Sequence, residues 1–283
     1  MITKNPMQLK ALIKKKAAET NISAQLVMQN YVMERLLERI SLSEYKRNFI
    51  LKGGFLISAI IGINTRATMD LDTTIRGFEL THEAIRGIFD RVIAIPIDDD
   101  IEFEVIGVAD IREADDYPGV RVSLKANYPP ISVPLTVDIT TGDKVTPREV
   151  EYTFPLMFDE HGIIIMAYNL ETVLAEKLET IVSRGVANTR PRDFYDIFII
   201  WKLRGDEIDI GTLKTALART SEKRGSASVI SRYGPILSDV LASEQMRGFW
   251  AKYQSDFDYA GDISFEDAIG TAREIMAAVL AHE

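Results

Sequence analysis

The sequence predicts an α+β fold, a sheet flanked by helices and followed by a helical C-terminal domain. Three observations lead there. Stretches between residues 101 and 139 alternate apolar and polar residues with period two. Earlier, a short strand runs into two adjacent glycines and an apolar helix. From about Leu170 onward the apolar residues fall at helical spacing. With 283 residues, 46% of them hydrophobic, the chain can bury the cores of two domains. The boundary is expected near residue 168, giving domains over 1–168 and 169–283.

In chain order, Ser23 caps a helix reaching about Ile40, with Leu26, Met33, Leu36, Leu37 and Ile40 on one stripe. "FILK" is a short strand, then come Gly53 and Gly54, and Phe55 to Ile61 is apolar enough for a buried helix. Thr68 to Ile75 is β-prone, and a helix follows near residues 81–93. Ile101-Phe103-Val105, Val120-Val122-Leu124 and Val133-Leu135-Val137-Ile139 are strands of one half-buried sheet. "YTFPLMF" and "GIIIMAY" add two short extended pieces. The remainder is helical, broken at "RGVANTRP", "LRGDEID", "EKRGSAS" and "YAGDIS".

Composition removes several kinds of chemistry. Without cysteine there are no disulfides, thiolate metal sites or cysteine nucleophiles, and three scattered histidines do not build a metal centre, so any metal is held by oxygen. A net charge of −9 argues against non-specific coating of nucleic acid. Lys14, Lys15, Lys16, Arg184, Arg190, Arg192, Lys202 and Arg204 are read as solvated helix faces. Neither a membrane-spanning stretch nor a signal peptide is evident, so a cytoplasmic location is expected.

Asp70 and Asp72 carry the chemical argument. Residues two apart in a strand share a face, so both carboxylates, with Thr74, are expected together. Close carboxylates repel, and a divalent cation removes that cost. Asp138, on the polar side of "VPLTVDITTG", supplies a third acid from a neighbouring strand. Three carboxylates on one sheet face suit two-metal phosphoryl or nucleotidyl transfer. The bare N–H groups of Gly53 and Gly54 at a helix start suit an anion, although a tight turn uses glycines as well.

These residues, in this order, resemble the DNA polymerase β superfamily of nucleotidyltransferases, with its mixed sheet. More closely, "LERISLSEYKRNFILKGG", "TRATMDLDTTI", "VDITTGDKVTP" and "AYNLETVLAEKLETIVSRGVANTRPRDFYDIF" resemble successive blocks of the AbiEii/AbiGii toxins of abortive-infection toxin–antitoxin systems. The resemblance spans about residues 26–200. It implies Mg²⁺ (or Mn²⁺) on Asp70, Asp72 and Asp138, NTP as substrate, and phosphate contacts from Gly53 and Gly54. Arg66 and Thr68 match the family's lead-in to the acidic pair and would assist nucleotide binding.

Lys177 lies within the apolar stripe of the helix after Asn169, where a lysine must snorkel, pair with an acid such as Glu171, or meet an anion. The resemblance makes that anion the triphosphate, with Asp193 catalytic and Asp196 beside the nucleotide. By spacing alone, those two acids would merely complement a helix dipole. Phe55 departs from the family's usual Gly-Gly-Thr. The acceptor implied is RNA, particularly a tRNA 3′ end, so that translation and growth stop. The partner implied is a cognate antitoxin encoded alongside, with or without direct contact, and no membrane is involved. Two alternatives stand: an acceptor hydroxyl on a small molecule or protein, and a degenerate nucleotide-binding module. Trp201 and Trp250 are read as core, His161 as an inert turn residue, and "IDDDIE" at 97–102 as a solvated turn.

Overall fold

The computed structural model describes residues 5–63, 66, 68–111 and 119–282. The chain forms two compact units, one of residues 1–143 and 150–167, the other of 144–149 and 168–283. The short segment Lys144–Glu149 thus joins the second unit although β structure follows it in the first.

The first unit opens with α1 (Pro6–Thr20) and α2 (Ala24–Leu42). The side chain of Asn5 caps α1 by accepting from the Met7 N–H, with Pro6 as the first helical residue. Only Leu9 and Ile13 of α1 are buried, so its apolar signal is thin. The Ser23 side chain caps α2, and the predicted stripe residues Met33, Leu36, Leu37 and Ile40 are buried. Then follow β1 (Phe49–Lys52), α3 (Gly53–Ile61), β2 (Leu71–Ile75), α4 (His82–Ile93), β3 (Glu102–Asp110), β4 (Gly119–Tyr128), β5 (Ile131–Thr141), β6 (Val150–Pro155) and β7 (Gly162–Ala167).

All seven strands form one mixed sheet in the order β3-β4-β5-β2-β1-β7-β6. β1 pairs antiparallel with β2 and parallel with β7, while β2 pairs parallel with β5. Alternation along β5 decides which face is inward: Val133, Leu135, Val137 and Ile139 are buried, and the residues between them are not. α2 packs on β5 and β7, and α3 on β1 and β2.

"IDDDIE" is more than a solvated turn. Asp99 is buried, and both its oxygens accept from Arg39 of α2 at 2.8 Å. Arg39 also donates to the Ile101 carbonyl at 2.9 Å. The segment therefore anchors the edge of the sheet to α2.

The second unit is helical: α5 (Leu170–Arg184), α6 (Pro191–Arg204), α7 (Ile210–Lys223), α8 (Ala227–Ile230), α9 (Tyr233–Ala242), α10 (Glu244–Asp256) and α11 (Phe265–Ala281). α5 packs against α6 and α7, and α11 against α6, α7 and α9. Trp250 is buried beside Phe265, as its apolar surroundings suggest. Trp201 departs from the core reading, because it is only half-buried and its Nε1 donates to Glu274 at 3.3 Å. Among the described residues no helix is long and apolar enough to cross a membrane.

Candidate active site

Four strands of the first unit lie side by side, and their registers place four charged residues in a transverse row. Lys52 of β1 pairs with Asp72 of β2, Asp72 with Asp138 of β5, and Asp138 with Arg121 of β4. Partners in register project from the same face of a sheet, so the row reads cation, acid, acid, cation. One residue away, Leu71, Val137 and Val122 form a parallel row facing the core, all fully buried. Alternating polarity has thus set four charges on one face and packed apolar side chains beneath them.

Both ends of the row are tied down. Arg121 grips Asp138 with two prongs, Nε donating to Oδ1 and a terminal nitrogen to Oδ2, each at 2.7 Å. The Lys52 ammonium donates to the Thr140 hydroxyl at 2.7 Å and to Asp143 at 2.6 Å. Asp70 sits immediately before β2, which begins at Leu71, so it adjoins the row through the chain and not through the ladder. Its N–H lies 3.4 Å from the Thr68 hydroxyl, and the Thr68 carbonyl accepts from Asn30 of α2 at 2.9 Å. Hydrogen bonding to Asp138, with the charges of Asp138, Asp70 and Asp72, holds Arg121 still further from deprotonation than usual. One guanidinium thus feels all three acids.

The glycine pair makes room for charged groups. Gly53 has φ +65°, and a Cβ built there would stand 2.1 Å from Oδ2 of Asp72. A Cβ at Gly54 would stand 2.4 Å from a terminal nitrogen of Arg66, whose guanidinium lies against the start of α3. Arg66 and Thr68 are both buried, so they brace the approach to the acids. No side chain caps α3. Phe55 turns into the core, where it is buried with its ring 5.1 Å from that of Phe154. The departure from the family's hydroxyl residue is thus used for packing.

Among the described residues no three His, Cys, Asp or Glu side chains gather closely enough to hold a metal ion unaided. The donor chemistry still fits a hard divalent ion. Asp72 and Asp138 stand in register, Asp70 adjoins them, and the missing side chain of Gly53 lets the Asp72 carboxylate lie close against the backbone. Mg²⁺ needs only one or two protein carboxylates when substrate and water oxygens complete its shell.

The second unit carries the other predicted residues. Lys177 of α5 lies 2.8 Å from Oδ1 of Asp193 and 2.8 Å from Oδ2 of Asp196, both on α6. Three residues apart, these acids share one helix face and converge on a single ammonium. Lys177 thus meets acids from α6, while Glu171 instead accepts the Asp209 N–H at 3.1 Å. Asp193 and Asp196 are buried, and Oδ2 of Asp193 has no hydrogen-bond partner.

Sequence reasoning missed Lys52, Arg121 and Asn30. Lys52 directly precedes the glycines, and Arg121 occupies the polar phase of an alternating strand. Only the register across strands shows that both belong to the acid row.

A mixed seven-stranded sheet with a glycine-headed helix, followed by a helical unit, is a nucleotidyltransferase fold. MenT4, a nucleotidyltransferase toxin from Mycobacterium tuberculosis, shares it with a TM-score of 0.58 at 16% identity, over 96% of this chain and 98% of that one. A putative nucleotidyltransferase from H. pylori shares it with a TM-score of 0.51 at 16% identity, over 93% and 99% of the two chains. The family model for the nucleotidyl transferase AbiEii toxin, of type IV toxin–antitoxin systems, matches residues 35–271. The chain belongs to that family. Comparison with curated proteins gives no match.

Proposed function

We propose that this toxin transfers a nucleotide from an NTP to an RNA hydroxyl, with the 3′ end of tRNA as acceptor, and thereby stops translation. The observation that carries the reading is the in-register pair Asp72 and Asp138, with Asp70 adjoining and all three acting on Arg121.

In this reading Asp70, Asp72 and Asp138 hold Mg²⁺ or Mn²⁺, which supplies Lewis-acid polarisation of the α-phosphate and offsets charge on the triphosphate. Uncapped N–H groups at Gly53 and Gly54 receive phosphate oxygens, and Arg66 and Thr68 brace that turn. Asp138 orients the acceptor hydroxyl and takes its proton as the new O–P bond forms. The bond from the α-phosphorus to the bridging oxygen breaks in line, and pyrophosphate departs. Lys177 neutralises triphosphate charge, while Asp193 and Asp196 hold that lysine in place until substrate competes for it. A cognate antitoxin opposes the effect, with or without touching the toxin. The protein acts in the cytoplasm, where its substrates are.

Expression in a bacterial host of wild type beside Asp70→Ala with Asp72→Ala tests the reading. Wild type should arrest growth and the double variant should not. Purified wild type, given each labelled NTP and total RNA, should add a mass of one or a few nucleotides to the RNA. Arrest by both forms, or label that enters only small hydroxyl compounds or protein, would overturn it.

A further inference from the structure

We propose that Arg121 is a counter-cation built into the acid row: in the nucleotide-free protein it keeps Asp138 from a divalent ion, and the arriving triphosphate draws it away. The proposal rests on reading Asp70, Asp72 and Asp138 as ion ligands.

Three observations support it. First, the Arg121 fork takes both oxygens of Asp138 at 2.7 Å, engaging the lone pairs an ion would use. Second, the row's other cation has acceptors of its own. Lys52 is bonded to Thr140 and Asp143, so Arg121 is the side chain that compensates Asp138 directly. Third, the Arg121 side chain is 47% exposed against 20% for Asp138, so the guanidinium can leave without opening the core beneath the row. A guanidinium prefers the fork geometry of carboxylate and phosphate alike, which makes the triphosphate a fitting place for it to go. Exchange of Arg121 for an ion would complete the three-carboxylate set only when nucleotide is present. Nucleotide-free protein would then hold metal weakly.

The test measures Mn²⁺ affinity, not turnover. Free Mn²⁺ is followed by electron paramagnetic resonance in titrations of wild type, Arg121→Ala and Arg121→Gln. Titrations are run with and without non-hydrolysable α,β-imido analogues of ATP, CTP, GTP and UTP. Without nucleotide, Arg121→Ala should bind Mn²⁺ about tenfold more tightly than wild type, because the ion no longer competes with a guanidinium for the two Asp138 oxygens. Arg121→Gln, which keeps a polar side chain without the charge, should shift in the same direction and guards against a misfolded alanine variant. With an analogue present the metal advantage should shrink, and the analogue itself should bind the variants about tenfold more weakly, as expected for loss of a charge-assisted contact. Equal or weaker Mn²⁺ binding by both nucleotide-free variants would overturn the proposal, since Arg121 would then be positioning Asp138 as a ligand. Failure of wild type to bind Mn²⁺ even with every analogue would instead overturn the ion-ligand reading, and the proposal with it.

Discussion

Gly53 is where backbone and side-chain constraints meet most tightly. Its left-handed φ of +65° disfavours any side chain, and the space a Cβ needs is held by the Asp72 carboxylate. Gly53→Ala should displace that carboxylate and lower transfer activity at least about 100-fold, while left-handed strain lowers stability by only about 1 kcal/mol. Activity assays beside thermal melts separate the two effects. Phe55 presents the opposite case. Phe55→Thr restores the family's hydroxyl but removes a buried ring from its contact with Phe154. Truncating a buried aromatic costs about 3 kcal/mol. Denaturant melts should show that loss, with no tighter nucleotide binding in titration.

At the scale of elements, α2 and β5 were legible because each buries one face, so period and polarity coincide. The short anchoring stripe of α1 was not legible, since two buried residues do not establish a period. The acids of β2 and β5 could be named from residue type and spacing. Their cationic flanks could not, because the pairing of Arg121 with Asp138 depends on strand register. Burial of Asp99 was hidden because its partner Arg39, on α2, lies 60 residues away. Breaking such a buried pair with Asp99→Ala should cost about 3–5 kcal/mol in chemical denaturation.

α2 also carries Glu34, which is buried and accepts the Met157 N–H at 2.9 Å. Burial raises its carboxyl from an ordinary 4.5 to about 8. The folded state therefore binds a proton that the unfolded state releases, and stability falls as pH rises from 4.5 to about 8. Glu34→Gln should flatten that part of the stability curve and make the variant more stable than wild type at pH 8, on the order of a few kcal/mol. Denaturant melts across that pH range check the sign.

At the scale of the whole molecule, the chain passes into the second unit at Lys144, returns at Val150 and leaves again at Tyr168. Thr146 ties the short segment in place: its N–H donates to the Thr172 hydroxyl at 3.0 Å, and its carbonyl accepts from Asn169 at 2.7 Å. A fragment ending at residue 168 keeps Lys144 and Arg148 but loses both tethers. Trypsin should cut it after these residues about tenfold faster than it cuts the full chain, because cleavage follows local opening. Equal rates in a time course analysed by mass spectrometry would show that the tethers do not hold the segment.

The close approach of Asp72 to Gly53 also has a genetic consequence. A glycine codon changes silently only at its third base, and any change at either of the first two gives a side chain or a stop, so every missense change at this position puts a side chain where the Asp72 carboxylate lies. Among colonies that outlive forced production of the toxin, missense changes at codon 53 should recur, with full-length protein still accumulating in those survivors.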